Sequence, residues 1–336
     1  MEILHVGIFK DHDLGGDIIF EKGFKRNNCD VERFDYREIA RLYGVEKMQE
    51  FLLQKSQNKD LVFIGKGELI KPETLEKIRK KRIIISLWYG DIRPKIEPWL
   101  LNNLKYIDYF FMSSGGDILK EYSKNGKPKF SINYFNPSDP EIVEKYKYKY
   151  NKKKYDLVFT GSYYSFFSKE RYQVISYLKK LKNIRFFGYN DYENIIRKIM
   201  YKMNIGKYKQ RVRGKKYIEV IKKTKIGIGV SAYNNIPFYT SDRLTHYLSF
   251  GTFFLPHYFP GLEILFKNIK YYNSLEELKE KIEYYLRNED EREELAKKCQ
   301  KEILEKYNTI KMTKMFLEVI RSNTQNIYEW VKIIKI

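Results

Sequence analysis

The sequence has few cysteines and no long apolar segment. Its 336 residues include only Cys29 and Cys299, which are too few for a disulfide framework and too far apart for a CxxC zinc site. No apolar run approaches the ~20 residues that a bilayer-spanning helix needs. The first residues lack the basic and apolar regions of a secretory signal peptide. From these absences we expect a cytoplasmic protein that folds without disulfides or a structural metal.

Acidic residues are scarce relative to basic ones. The chain has 64 Lys and Arg against 43 Asp and Glu, a formal net charge of +21. Because 43% of the residues are hydrophobic and 16% aromatic, a disordered polyelectrolyte is excluded. The charge favours attraction to nucleic acid, anionic lipid or a phosphorylated substrate. Basic drift from an AT-rich genome explains the same charge without a partner.

Short apolar strands alternate with helical patterns along most of the chain, as in βαβ units that form parallel sheets. A Lys-, Tyr- and Asn-rich stretch without periodicity separates two such series. The pattern therefore predicts two α/β domains whose ligands bind at the carboxyl ends of the strands. The predicted division is a first domain at residues 1–136, a connection at 137–154, a second domain at 155–310 and a C-terminal helix at 311–336.

Loops of the first domain carry ionisable side chains at the carboxyl ends of predicted strands. His12 and Asp13 follow the first strand, whereas Glu68 and Asp91 follow later ones. These positions suit a general base, although each of Glu68 and Asp91, taken alone, is more typical of a helix cap or a solvated charge. The first loop has a Gly-Gly pair but no GxGxxG sequence, and no Walker A sequence occurs. The sequence thus favours neither a dehydrogenase nor a P-loop NTPase.

The second domain has two segments suited to phosphate binding. Gly161 and Ser162 form a turn before a helix that carries Arg171, where backbone N–H groups and a guanidinium could hold a phosphate. A plain strand-to-helix turn is the alternative. Farther on, Arg243 lies near the start of a helix, where the helix dipole and the guanidinium both favour a pyrophosphate. The candidate ligand-binding residues of this domain are Gly161, Ser162, Arg171, Ser241, Asp242, Arg243, His246, Gly261 and Glu263.

From Asp242 to about Tyr307 the sequence resembles the C-terminal part of group 1-type glycosyltransferases, in particular the CgeB-like (spore maturation protein-like) branch. The residues that carry the resemblance are, in order, Arg243, Gly251, Pro260-Gly261-Leu262-Glu263, Phe266, Glu276-Glu277-Leu278, Tyr284-Tyr285-Leu286 and Asp290-Glu291-Arg292. The resemblance implies a GT-B fold, in which two Rossmann-like parallel-sheet domains face a central cleft. The second domain would hold the donor, and the C-terminal helix would cross back to the first.

The resemblance also implies a metal-independent reaction without a cofactor, in which a sugar passes from a nucleotide-sugar donor to a hydroxyl of a glycan, lipid-linked or protein acceptor. Arg243 would contact the donor diphosphate, and Gly261 and Glu263 would lie near the sugar or phosphates. The family's ribose-binding glutamate falls on His246, which leaves the donor nucleotide open. The candidates for the base that activates the acceptor are Asp13 and His12, followed by Asp91 and Glu68.

Two other interpretations remain open. A GT-B-like scaffold that binds polyanions without catalysis would also explain the charge, and His246 is compatible with loss of activity. The basic stretch Lys207–Lys216 follows the apolar residues Met200, Tyr201, Met203 and Ile205, a mixture more typical of an interfacial patch than of base readout. We therefore expect an anionic membrane surface as a partner at the inner membrane face, and no specific nucleic acid.

Overall fold

The computed structural model describes residues 1–9, 13–93, 95–162, 168–190 and 194–336. The chain divides into two compact units. Unit 1 comprises Met1–Pro137, Pro237–Tyr239 and Thr309–Ile336, and unit 2 comprises Ser138–Ile236 and Thr240–Asn308. Each unit has its own sheet. The predicted α/β class with parallel sheets is confirmed.

Unit 1 begins with six strands that pair in parallel and six helices that connect them. The strands are β1 (Glu2–Gly7), β2 (Asp30–Asp35), β3 (Leu61–Gly65), β4 (Ile84–Tyr89), β5 (Tyr109–Met112) and β6 (Phe130–Asn133). The helices are α1 (Gly16–Arg26), α2 (Tyr36–Tyr43), α3 (Val45–Lys55), α4 (Pro72–Lys80), α5 (Pro98–Leu104) and α6 (Gly116–Gly126). Every residue of β3, β5 and β6 is buried, as expected of a parallel sheet covered on both faces.

Unit 2 has a five-stranded parallel sheet of order β11-β10-β7-β8-β9. Its strands are β7 (Tyr155–Thr160), β8 (Ile184–Phe187), β9 (Tyr208–Lys209), β10 (Thr224–Gly229) and β11 (Phe253–Pro256). Its helices are α7 (Pro140–Lys145), α8 (Lys169–Leu178), α9 (Ile195–Lys202), α10 (Gly214–Lys222), α11 (Asp242–Ser249), α12 (Leu262–Leu265), α13 (Leu275–Arg287) and α14 (Glu289–Lys306). In the described part of the chain, no helix is both long and apolar enough to cross a membrane.

The segment predicted as a connection, 137–154, belongs to unit 2 from Ser138 onward. It is anchored by the ammonium group of Lys222, whose Nζ donates to the carbonyl oxygens of Tyr146 and Lys147 at 2.6 and 2.9 Å. The Lys154 N–H also donates to the carbonyl of Lys223 at 2.8 Å. This segment is therefore part of the packed second unit.

The apolar residues at 269–272 predict a further strand, but the structure has only a single bridge there, between His257 and Tyr272. The reason is the start of α13 three residues later. Ser274 Oγ accepts from the Glu277 N–H, and the Glu277 carboxylate accepts from the Asn273 N–H. This reciprocal cap begins the helix before a strand can continue.

The C-terminal segment folds with unit 1, but it is not one helix to the end as predicted. Helix α15 (Thr309–Ser322) ends where Asn323 adopts a left-handed conformation, with φ of 59°. Strand β12 (Ile333–Lys335) then pairs antiparallel with β6, so that the first sheet has the order β12-β6-β5-β4-β3-β1-β2. The chain terminus thus covers an edge of the sheet.

Phe316 fixes α15 on unit 1. Its ring is fully buried and stacks on Phe111 with centroids 3.9 Å apart. The other aromatic rings around it are those of Phe20, Phe24, Phe63 and Tyr134.

Replacing Phe316 with Ala should lower the unfolding free energy of unit 1 by about 3–5 kcal/mol, because the substitution leaves a cavity among rigid rings. Urea unfolding followed by aromatic fluorescence measures the loss. Ile310→Ala is the matched control on the same helix, since Ile310 is 40% exposed, and it should change stability by no more than about 0.5 kcal/mol. Equal effects of the two substitutions would contradict this assignment.

Candidate functional site

Two arginines meet at the carboxyl edge of the second sheet. Arg243, on α11, donates from Nη1 to the Thr160 carbonyl at 2.8 Å and from Nη2 to the Val230 carbonyl at 3.0 Å. Arg171, on α8, donates from Nη1 to the same Val230 carbonyl at 2.5 Å. Thr160 ends β7 and Val230 follows β10, so the guanidinium groups tie together the ends of adjacent strands.

The two arginine side chains differ in their exposure to solvent. Arg171 is 3% exposed, and its Nη2 donates to the Ser162 carbonyl at 3.0 Å, so it fixes the turn after β7 from within. Arg243 is only half-buried. Both guanidinium groups lie over the ring of Phe159, at 5.6 and 5.3 Å from its centroid. Arg171 thus acts mainly on the loop, whereas Arg243 faces the edge where ligands of such sheets bind.

Arg243 has no carboxylate within ion-pair distance in the described ranges of the chain. Its hydrogen bonds go to carbonyl oxygens, which carry only partial negative charge. A Cβ at Gly161 would lie 3.2 Å from Arg243 Nη1, so the glycine keeps the guanidinium close to the backbone. The positive charge is therefore held in place but not neutralised, as required for binding an anion.

Tyrosine hydroxyls surround this edge, and sequence analysis did not single them out. Burial raises the pKa of Tyr217 to about 12, although the Thr160 hydroxyl and Arg243 act in the opposite direction. Burial also raises the pKa of Tyr247 and Tyr272. The Tyr272 hydroxyl donates to the Gly229 carbonyl at 2.9 Å. These groups are neutral donors at physiological pH. Tyrosine is so abundant in this sequence that only their place in the fold distinguishes them.

Arg211 is a further cation at this edge. From the sequence alone it is included only in the basic stretch Lys207–Lys216. It follows β9, and a Cβ on Gly188, just after β8, would lie 3.6 Å from the Arg211 side chain. The same point on Gly188 is 3.4 Å from the Gly161 carbonyl. Arg211 therefore lies beside the turn after β7 and adds positive charge there.

The remaining candidates of unit 2 lie on or next to α11 and α12. Ser241 precedes α11 and lines a small cavity with Gly229 and Val230, and Asp242 is exposed in the first turn. The ring of His246 lies edge-on to Tyr217, with centroids 5.6 Å apart. Gly261 adopts a φ of 92° before α12, and the exposed Glu263 accepts from the Tyr258 hydroxyl at 3.2 Å. The structure thus groups Ser241 with the strand ends and His246 with Tyr217.

The base candidates of unit 1 have different surroundings. Asp13 lies in a turn before α1, and His12 lies outside the described residues. Asp91 forms an ion pair with Lys66 at 2.5 Å. Glu68 accepts from the Tyr36 hydroxyl at 2.5 Å and pairs with Arg37 at 2.6 Å, as expected of a structural carboxylate.

Asp17, in the first turn of α1, is a further carboxylate at this edge of the first sheet. Its oxygens accept from the Ile8 N–H at 2.8 Å and lie 3.1 Å from Nε2 of the buried His5. A Cβ at Gly7 or Gly65 would collide with this carboxylate. The glycines at the ends of β1 and β3 therefore leave the space that the Asp17 carboxylate occupies. The sequence indicates this only when β1 and β3 are known to be neighbouring strands.

Among the described residues, no three His, Cys, Asp or Glu side chains are grouped as metal ligands would be. Metal independence remains a prediction.

Comparison with known proteins finds a sequence match in the second half of the chain. Residues 156–318 match a family model described as glycosyl transferase-like. The structure resembles an alpha-glucosyltransferase in complex with UDP-glucose and DNA containing an abasic site, with a TM-score of 0.69 and 13% identity over 96% of this chain and 100% of that one. No curated protein matches the sequence.

Other solved structures resemble the chain at similar levels. Anabaena HepE in complex with UDP-glucose has a TM-score of 0.64 and 11% identity, over 96% of this chain and 100% of that one. Trehalose-6-phosphate synthase has a TM-score of 0.60 and 11% identity, over 97% and 100% of the two chains. The chain thus has the fold of GT-B glycosyltransferase structures, which confirms the predicted fold class, and its second half carries the glycosyl transferase-like sequence pattern.

The arginine pair gives a prediction for stability. Arg171→Met should lower the unfolding free energy by at least about 3 kcal/mol, because two hydrogen bonds from a buried charged group contribute about 1.5–3 kcal/mol each. Arg243→Met should lower the unfolding free energy by about half as much. Because Arg243 is only half-buried, water can hydrogen-bond to the carbonyl groups that lose its guanidinium. Urea unfolding of both variants tests this order, and a larger loss for Arg243→Met would contradict it.

Proposed function

We propose that this protein transfers a sugar from a nucleotide-sugar donor to a hydroxyl of a glycan, lipid-linked or protein acceptor, without a metal ion. The observation that carries the proposal is Arg243, a fixed guanidinium without a carboxylate partner in the described residues. It lies at the carboxyl edge of a parallel sheet, within the segment that matches the glycosyl transferase-like model. Membership of the CgeB-like branch and a role in cell-surface polysaccharide synthesis are finer proposals that rest on the sequence resemblance.

The chemistry of sugar transfer explains why such a guanidinium is useful. When the sugar–phosphate bond breaks, negative charge grows on the diphosphate that leaves. Preorganised positive charge and N–H donors stabilise that charge without reorganising. Arg243 lies in the first turn of α11, so the positive end of the helix dipole adds to its own charge. Arg211, beside Gly188, would add further positive charge near the turn after β7.

UDP-glucose is the first donor to test, because two of the similar structures are described as its complexes. In this proposal Arg243 binds the diphosphate, and His246 faces the ribose from beside Tyr217. Asp13 is the proposed base for the acceptor hydroxyl. The further candidates for this base are His12, Asp91 and Glu68.

Thermal unfolding in the presence of UDP, GDP, dTDP, ADP or CMP tests the donor site. We expect UDP to stabilise the protein by about 2.7 kcal/mol at one hundred times its dissociation constant, since a ligand that binds only the folded state shifts the equilibrium by mass action. Arg243→Met should abolish the shift. Hydrolysis of UDP-glucose to UDP and glucose, with water as the acceptor, should also be slower in this variant than in the unaltered protein.

Arg287→Met is the matched control for that experiment, because Arg287 lies at the end of α13 with its side chain 79% exposed. This variant should keep the full nucleotide response. If no nucleotide stabilises the unaltered protein, or if Arg243→Met responds fully, the donor-site proposal is wrong.

A second candidate function, docking on an anionic membrane surface, rests on the outer face of α9. Five apolar side chains on α9 and just after it are between 46% and 67% exposed: Ile195, Ile196, Ile199, Met203 and Ile205. The spacing of Ile196, Ile199 and Met203 places them along one helix face. The exposed cations Arg211, Arg213, Lys215 and Lys216 follow in sequence. Apolar side chains with nearby cations are typical of segments that lie in a lipid interface.

Sedimentation with vesicles tests this docking. The double variant Ile196→Ser/Ile199→Ser should bind vesicles of phosphatidylcholine and phosphatidylglycerol about tenfold more weakly, because it removes apolar area that would enter the interface. The control is Leu42→Ser on unit 1, where Leu42 is 55% exposed. Unchanged vesicle binding in the double variant, or binding to duplex DNA in place of vesicles, would contradict the proposal.

A further inference from the structure

A basic cavity lies at the amino ends of the strands in unit 2, on the opposite edge of the sheet from Arg243. Its volume is about 290 Å³. Lys153 precedes β7, Lys225 is the second residue of β10, and Gly251 and Phe253 lie at the start of β11. Because β10 has six residues at about 3.3 Å each, ~20 Å separates this edge from the carboxyl edge. The cavity is therefore a separate place in the fold.

Positive charge dominates the lining of this cavity. Six cations line it, against one carboxylate, that of Glu293: Lys147, Lys153, Lys222, Lys225, Arg292 and Lys297. Several of them come from segments far apart in sequence, so the cluster is a product of the fold and not of a local basic run. Like charges at this density repel one another unless an anion lies among them.

The partners of these cations leave part of the charge uncompensated. Lys225 pairs with Asp156 at 2.9 Å, and the buried Arg292 pairs with Glu289 at 2.9 Å. Lys222 donates to the carbonyls of Tyr146 and Lys147, which are not charged. The exposed Lys297 has no carboxylate within ion-pair distance in the described ranges.

Lys153 lies near two other cations of the group, Arg292 and Lys222. Its Nζ donates to the carbonyl of Lys222 at 3.1 Å, and no carboxylate lies within ion-pair distance among the described residues. The pKa of Lys153 is lowered to about 8, mainly by burial and also by the charges of Arg292 and Lys222, while Glu293 and Glu289 act in the opposite direction. A half-buried ammonium with other cations around it costs folding free energy. A bound anion would remove that cost.

We propose that this cavity binds a small anion that carries a phosphomonoester or diphosphate group. The volume is just below the usual range for small-molecule pockets, so it fits a phosphate group with a short substituent and not a folded polymer. Lysine ammonium groups act as point charges that suit a multiply charged phosphate from several directions. The phosphate group belongs either to a free metabolite or to a lipid headgroup.

Isothermal titration calorimetry with pyrophosphate as the probe tests the proposal on the full chain. The titration is made in the Arg243→Met variant, so that the carboxyl edge does not add a second binding event. We expect one saturable site, which Lys153→Gln and Lys225→Gln each weaken about tenfold or more, the loss expected for one charge-assisted hydrogen bond. Lys279→Gln, on the outer part of α13, is the matched control and should leave binding unchanged.

Lys153→Arg is the control for loss of folding. It keeps the positive charge, so it should retain pyrophosphate binding when Lys153→Gln does not. No saturable binding, or equal binding in all variants, would overturn the proposal. Vesicles of phosphatidylcholine and phosphatidylglycerol then distinguish the two sources. Vesicle binding that depends on Lys153 and is competed by pyrophosphate assigns a lipid headgroup, and vesicle binding that is independent of Lys153 assigns a free phosphate compound.

The pyrophosphate titration can succeed or fail whether or not the donor-site proposal is correct. If UDP fails to stabilise the protein but pyrophosphate binds through Lys153, only the proposed function is wrong. If UDP stabilises the protein and pyrophosphate binding is unchanged by Lys153→Gln, only the cavity proposal is wrong.

Discussion

The carbonyl group of Val230 accepts hydrogen bonds from two arginines, and the carboxyl edge of the second sheet depends on this convergence. One arginine comes from the helix after β7 and the other from the helix after β10. Two guanidinium groups would repel each other at such a place without the carbonyl oxygens and the face of Phe159 to hold them. The fold thereby maintains positive charge where strand ends and a helix N-terminus already favour an anion.

The first unit is stabilised differently, by aromatic packing around a helix from the end of the chain. Phe316 lies among rings from α1, β3 and β5, and β12 closes the sheet beyond it. The first hundred residues therefore depend on the last thirty for part of their core. Glycines at the ends of β1 and β3 then leave room for the Asp17 carboxylate, which packs directly against their backbone at the edge of this sheet.

The high net charge is distributed over several environments that the composition cannot separate. Some lysines, such as Lys66, form ion pairs, while Lys207 and Lys222 donate to carbonyl groups inside unit 2. Arg243 and Lys153 also donate to carbonyl groups and have no carboxylate within ion-pair distance in the described residues, and they lie at opposite edges of one sheet. We propose that the charge acts in binding at these two sites and beside the apolar side chains of α9.

The sequence alone determined the α/β class, the position of most strands and the segment around Arg243, because these follow from local periodicity and from motifs within a few residues. Apolar runs predict strands at 109–112 and 184–187, and a helical pattern predicts a helix at 45–55; the structure has these three elements with the same bounds. Only the tertiary structure decided that Arg171 braces a loop from within, that Glu68 is held by Tyr36 and Arg37, and that the final helix stops at Ser322. It also brought Lys153 and Lys225 together and placed Arg211 beside Gly188. These outcomes depend on contacts between residues far apart in the chain, and such contacts leave no periodicity in the sequence.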